Sequence, residues 1–257
     1  MGRATILYDD KVPAATLSGA ATVGGLPLAN LQDPQPTKVA RWSGTTGYVV
    51  ADLGASYSIG LVAIGGTNLT SAATRRVRLS TADATGAAGD AHDSGTAAAG
   101  ADPRYNGAVV YVLAASVSAR YVRVDLVDAS RSFIDCGLFL AGPAFRPARN
   151  YSFGAALGYQ EAGGAEASPV GKLFANRRGR KRVATLRFAF ATEAEAMVDH
   201  MELSRIAGAT ENIVVVPDPN GTYLAAQSII GLVDDVTEIR NDAFNVWSRT
   251  ISIVERV

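Results

Sequence analysis

The chain has a single cysteine, Cys136, and only two histidines, His92 and His200. A lone thiol excludes an internal disulfide framework and any zinc site built from several thiolates of this chain. Such usage suits a reducing cytosol. No stretch approaches the ~20 consecutive apolar residues of a spanning helix, and the opening MGRATILYDD places acids where a signal peptide carries an apolar run. A soluble chain is expected, neither inserted in a membrane nor exported by that route. Net charge is also missing: Lys plus Arg and Asp plus Glu number 24 each, so nothing pulls the molecule over long range toward nucleic acid or an anionic membrane. Near-neutrality suits packing against other proteins. Glutamate is absent from residues 1–145, whereas every Glu lies beyond Tyr151. That shift, together with the two prolines of AGPAFRPARN, sets an expected boundary between domains 1–145 and 146–257.

What is present is mostly β. At 257 residues and 48% hydrophobic, the chain can bury real cores. In the first half short apolar runs alternate with turn residues, the pattern of an all-β sandwich. Strands are expected around residues 4–8, 48–52, 59–65, 75–80, 108–113, 121–126 and 134–141. In Arg120-Tyr121-Val122-Arg123-Val124-Asp125-Leu126 the period of two buries one face and leaves Arg and Asp on the other. Residues 81–106 are rich in Gly, Ala, Ser, Thr and Asp without an apolar face, which reads as a long mobile loop. The second half predicts strands over 150–159, 183–190, 213–216, 223–233 and 246–254. One helix, 192–207, is announced by the Thr192/Glu195 capping box, an apolar set Ala194, Met197, Val198 and Met201, and Gly208 as its stop. The fold class is thus mostly β: a jelly-roll sandwich followed by a β-sandwich or α+β domain with one packed helix.

The order Asn30-Leu31-Gln32-Asp33-Pro34, Arg41-Trp42, Val49-Val50-Ala51-Asp52-Leu53-Gly54, residues 59–64 and Arg120-Tyr121-Val122-Arg123-Val124 resembles the discoidin (F5/8 type C) family of galactose-binding-like jelly rolls, over residues 25–142. The cysteine pair that brackets extracellular members is absent, so their blood-protein and cell-surface roles do not carry over. The second half resembles, in layout, the ring-forming distal and minor tail proteins of long-tailed bacteriophages. The resembling features are the Thr192-x-x-Glu195-Ala196 helix, Ile213-Val214-Val215-Val216-Pro217-Asp218-Pro219, Ile229-Ile230-Gly231-Leu232-Val233 and the closing Trp247-Ser248-Arg249-Thr250-Ile251-Ser252-Ile253-Val254-Glu255. Together the two resemblances imply a structural component of a phage tail or tail-like particle, made in the bacterial cytoplasm and carried in the virion. Its implied partners are copies of itself in a ring, tail-tube and tail-tip hub proteins, and, as the alternative function, a host-surface glycan.

Residues able to run chemistry are scarce, and no enzyme is expected. His92 and His200 lack neighbours for a metal pair or triad and read as surface histidines. Cys136 reads as a buried inert thiol. The glycine strings match no nucleotide loop, and no cofactor or metal is expected. Asp83, Asp90, Asp93 and Asp102 lack the spacing that gathers about six to eight oxygens around calcium, although a structural calcium ion remains open. A polysaccharide hydrolase would need a carboxylate pair ~5 to ~9.5 Å apart, and no such pair is identified. Trp42 offers either an indole face for a sugar ring, with Arg41, Asp33 and Arg75 to bond hydroxyls, or core packing, which the family layout favours. The basic run Arg177, Arg178, Arg180, Lys181 and Arg182 reads first as a subunit interface, then as a solvated loop. Nucleic acid comes last because no aromatic interleaves the charges.

Overall fold

A computed structural model describes all residues except 1, 162, 177, 236 and 237. The first ten strands are β1 (Thr5–Leu7), β2 (Thr16–Gly19), β3 (Ala40–Ser43), β4 (Thr46–Gly65), β5 (Thr74–Ser80), β6 (His92–Asp93), β7 (Ala97–Ala98), β8 (Val109–Val127), β9 (Phe133–Cys136) and β10 (Leu138–Gly142). The remainder are β11 (Ala156–Glu161), β12 (Gly164–Ala167), β13 (Leu173–Asn176), β14 (Arg180–Ala191), β15 (Ile213–Val216), β16 (Ile229–Asp235), β17 (Arg240–Ala243) and β18 (Val246–Glu255), with helices α1 (Met201–Ile206) and α2 (Leu224–Gln227). The first sheet runs β10-β4-β8-β5-β6, with β2 on β4 and β7 on β5; the second runs β1-β15-β16-β18-β14-β11, with β17 on β18. Two short ribbons, β3-β9 and β12-β13, stand apart. The mostly β fold class is the observed one.

Three apolar cores follow from these layers. One fills the sandwich around Trp42, Ile59, Leu79, Leu113 and Phe139. A second lies under the other sheet, with Leu186, Phe188, Leu203, Ile251 and Ile253. The third joins the two: Leu61, Ala63, Val110, Leu138 and Leu140 of the first sheet meet Leu7, Val214, Val216 and Ile230 of the second. Each fully buried aliphatic side chain contributes ~1.5–3 kcal/mol, so this junction is a real core and not a flexible link.

Several expectations are corrected. The strand at 4–8 is not part of the sandwich: β1 pairs antiparallel with β15, Thr5 opposite Val216, and closes the second sheet. Hydrophobicity showed that the segment is buried but not against which layer. The strands expected separately at 48–52 and 59–65 are one long strand, β4, as 108–113 and 121–126 are one β8. The pair continues through register shifts between Asp52 and Tyr57 and between Ile59 and Leu61. Residues 81–106 include β6 and β7, which pair with β5, and their backbone is tied to the sheet where Arg78 donates to Ala87 O and Arg123 to Thr85 O. The segment expected as strand at 223–233 begins with the helix α2.

The helix at 192–207 is present, and its capping box forms as the residues dictate: Thr192 N and Oγ1 donate to Glu195, and Glu195 N donates to Thr192 Oγ1. Residues Glu195–His200 are π-helical and α1 continues them. The buried face, however, is Ala196, His200, Leu203 and Ala207. Met197, Val198 and Met201 are 43%, 62% and 51% exposed. Both sets have helical spacing, and the narrower one fits against the sheet. His200 is therefore not a surface residue but lies against Phe145 and Phe188.

Candidate functional site

The ribbon β3-β9 builds one end of the sandwich. Its register places Arg41 opposite Asp135, Trp42 opposite Ile134 and Ser43 opposite Phe133. Alternation sends Trp42, Ile134 and Cys136 into the core and turns Arg41, Phe133 and Asp135 outward. Arg41 forms a two-pronged pair with Asp135, both N···O distances being 2.7 Å. Its guanidinium sits 4.1 Å from the centroid of the Phe133 ring, which is 37% exposed. Asn68 clamps the strand from the side, its Nδ2 donating to Phe133 O and its Oδ1 accepting from Asp135 N. Asp135 also holds the Arg41 guanidinium above its ordinary pKa, so the charge is permanent. The result is an exposed aromatic ring beside a guanidinium locked to a carboxylate, with the backbone positions set by strand pairing.

The residues suggested by sequence fall in different places. Trp42 is 1% exposed and offers no face to a sugar ring; the Cβ of any larger residue at Gly47 would lie 2.6 Å from its Cδ2. Packing is the role this geometry gives it. Asp33 accepts from Lys38 Nζ at 2.5 Å and from Gln35 N, and it lines a cleft of about 370 Å³ between the sandwich and Ile206, Glu211 and Asn212. Arg75 is half-buried: it lies over Tyr111 at 4.4 Å, and burial lowers its pKa. Tyr111 in turn bonds His92 Nε2 at 2.7 Å, which places His92 in a paired strand. Of the four, only Arg41 and Trp42 share an element, and they point to opposite faces.

In the basic run, Arg177 lies outside the described residues and Arg178 is exposed. Arg180 reaches Glu161 of the neighbouring strand at 2.5 Å, and Arg182 is buried against Glu255 at 2.5 Å. Lys181 is half-buried. Two of these charges thus find their acids within the chain. The aspartates considered for calcium serve local turns and arginines: Asp83 accepts from Thr85 and Ala88, Asp90 from Thr81, Asp93 from Arg76 and Asp102 from Arg104. Among the described residues no group of three or more His, Cys, Asp or Glu could hold a metal ion. Cys136 is buried and its thiol pKa is pushed up by desolvation. No described helix is long and apolar enough to cross a membrane.

Sequence reading missed Asn68, Phe133 and Asp135. Arg-Ser-Phe-Ile-Asp-Cys alternates in the manner that turns Phe133 and Asp135 to one side, so that much was visible. The partner strand, some ninety positions earlier, was not.

No protein-family model and no curated protein matches the chain. Solved structures do. The lectin-binding domain of lectinolysin in a complex with Lewis b is 13% identical, with 53% of this chain and 96% of that one covered at a TM-score of 0.40. The CBM32 module of AlyQ in complex with 4,5-unsaturated mannuronic acid is 16% identical, covering 49% and 92% at 0.40. A fucose-binding module of Streptococcus pneumoniae is 9% identical, covering 52% and 98% at 0.39. These neighbours are carbohydrate-binding modules. They span about half of this chain.

Proposed function

We propose that the sandwich is a non-catalytic carbohydrate-binding module whose ligand sits at Arg41, Asn68, Phe133 and Asp135. The observation that carries this reading is the exposed Phe133 ring braced at 4.1 Å by Arg41, itself locked to Asp135. A sugar ring presents an apolar C–H face and a rim of hydroxyls. The remaining face of Phe133 takes the first, and the Arg41 N–H groups not spent on Asp135, with the spare lone pairs of Asp135, take the second. The ligand class agrees with the Lewis b, mannuronic acid and fucose named for the neighbouring structures. The test is a glycan array followed by calorimetry on the best hit. Phe133→Ala and Arg41→Ala are expected to weaken binding at least ~10-fold, about 1.4 kcal/mol, while the fold is retained. Binding that survives both substitutions, or an array without hits, would overturn the reading.

A second reading, assembly through the C-terminal sheet, is favoured by a separate observation. The edge strand β11 is exposed along its whole length, and so is the ribbon β12-β13. The setting proposed for that assembly is the tail or tail-like particle that the sequence resemblance implies. Electron microscopy of the particle with a label on this chain is the test, and a label away from the tail end would remove that setting.

A further inference from the structure

Strands β11 to β14 form one long hairpin arm. β11 and β14 pair from Ala156 opposite Thr185 to Glu161 opposite Arg180, and the ribbon β12-β13 carries the arm on from Gly164 opposite Asn176 to Ala167 opposite Leu173. The tip is a closed turn. Gly171 N donates to Ser168 O at 2.8 Å, Ser168 N to Lys172 O at 2.8 Å and Lys172 N to Ser168 Oγ at 3.1 Å, while Gly171 at φ +76° supplies a conformation that other residues resist. Three large apolar side chains crowd this end: Val170, Leu173 and Phe174 are 81%, 73% and 64% exposed. By alternation Leu173 and Phe174 lie on opposite faces of the ribbon, and Val170 lies in the turn between its strands. A folded partner covers one face of a ribbon. Only a medium that surrounds the tip takes all three side chains out of water.

Charge is segregated along the same arm. Residues 161–181 contain five Lys or Arg and two Glu, in a chain whose net charge is zero. Of the two acids, Glu161 takes Arg180 at 2.5 Å, and Glu166 on the ribbon is offset by the exposed Lys172 beside the turn. Arg178 is exposed and meets no carboxylate among the described residues. At ~3.3 Å per residue it stands at most about 17 Å from Leu173, a gap that its own long side chain and a screening length of ~8–10 Å span. Lys172 is nearer still, and its stem can follow apolar surroundings while the ammonium stays wet. An apolar tip with cations behind it matches a surface that is apolar within and anionic at its rim.

We propose that the tip of this arm inserts shallowly into the surface of an anionic lipid bilayer, with Val170, Leu173 and Phe174 entering the apolar boundary and Lys172 and Arg178 meeting the lipid phosphates. The turn can leave water because its hydrogen bonds close within the arm. Deeper entry is opposed, since the outer edges of a two-stranded ribbon keep unpaired N–H and C=O groups that must stay hydrated. Nucleic acid is the poorer match: Val170 and Leu173 are aliphatic and give bases no stacking surface. The proposal goes beyond the glycan reading, uses none of its residues, and leaves the edge strand β11 free.

The test is flotation of the full chain with phosphatidylcholine vesicles, with and without phosphatidylserine. Binding is expected to the vesicles that contain phosphatidylserine, and it should weaken as salt is raised. Lys172→Gln and Arg178→Gln should each weaken it about five-fold. The double change Val170→Asp with Leu173→Asp should weaken it at least ~10-fold; both positions are exposed, and thermal melting confirms that the variant is folded. In Val170→Trp the emission of the added indole, measured against wild type, should shift to the blue on mixing with the same vesicles, which contact through charge alone does not produce. Wild-type chain that does not float with anionic vesicles, flotation that the double Asp change leaves intact, or an indole at the tip whose emission stays in place would overturn the proposal. A chain that retards duplex DNA and ignores vesicles would assign the arm to nucleic acid instead, and an oligomer that the double Asp change dissolves without any lipid present would assign the tip to a protein contact.

Discussion

Glu255→Ala should be among the most damaging single changes in the second sheet. Arg182 and Glu255 are each 5% exposed, and they meet at 2.5 Å. The arginine also donates through Nε to Glu255 and through Nη1 to the carbonyls of Ala225 and Ala226, at 2.8 and 3.1 Å. Glu255 in turn accepts the backbone N–H of Arg182 at 3.1 Å. One pair thereby joins β14, β18 and the end of α2. Removing the carboxylate leaves a guanidinium in the interior with carbonyl partners and no counter-charge, which costs about 3–5 kcal/mol. For a chain of this size that lowers Tm by roughly 6–20 °C, at ~2–4 °C per kcal/mol. The double variant Arg182→Met with Glu255→Leu removes both charges at similar volume, and it should regain most of the loss, ending within ~1 kcal/mol of wild type or above it. Urea unfolding followed by the fluorescence of Trp42 and Trp247 compares both variants with wild type. A loss below ~1 kcal/mol for Glu255→Ala, or a double variant no better than the single one, would refute the reasoning.

Burial pushes the Asp10 carboxyl up to about 7 from its ordinary 3.8, against the opposing hydrogen bonds from Ala141 and Val12. The folded chain therefore holds that proton more tightly than the unfolded one, and stability falls as pH rises from about 4 through about 7. Asp10→Asn should be more stable than wild type at pH 8 by roughly 4 kcal/mol, at ~1.4 per pKa unit, and close to it below pH 4; a difference that does not vary with pH in chemical denaturation would contradict this. His200 moves the other way, lowered from 6.5 to about 4 by desolvation first and then by Arg249. Its neutral form is the one that fits, so stability should drop by roughly 3 kcal/mol as pH falls from 6.5 to 4, and His200→Leu should abolish that limb. Gly47→Ala pushes a methyl into the buried Trp42 ring and should cost about 1–3 kcal/mol by the same denaturation assay, with Ser43→Ala as an unaffected comparison.

The strand segments were readable where alternation was strong, as at 121–126 and 246–254, because burial of one face imposes a period of two. What alternation does not carry is the identity of the opposite strand. For that reason the place of β1 in the second sheet and the meeting of Arg41 with Phe133 and Asp135 were hidden, although all of these residues were in plain view. Trp42 shows the limit from the other side. An indole beside an arginine fits a sugar platform and a core equally well in one dimension, and only the inward phase of β3 separates them. The apolar positions of the helix illustrate the same ambiguity: Met197, Val198 and Met201 are large and regularly spaced, yet the face against the sheet is Ala196, His200, Leu203 and Ala207. The large side chains left outside, there and on β12-β13, are the part of the pattern that a rule placing apolar residues inside misassigns.

The pairing of β1 with β15 also has a temporal meaning. Thr5 leaves the ribosome about 210 residues ahead of Val216, so β1 waits for its partner strand roughly 10–40 s at ~5–20 residues per second. During that interval the sandwich has all of its own strands and can close, while the second sheet still lacks β15, β16 and β18, including the sheet neighbour of β1. The end of the sandwich that carries Arg41, Phe133 and Asp135 is thus finished first, and the second sheet is completed last. A chain arrested before β15 holds a complete sandwich beside a second sheet that lacks its central strands.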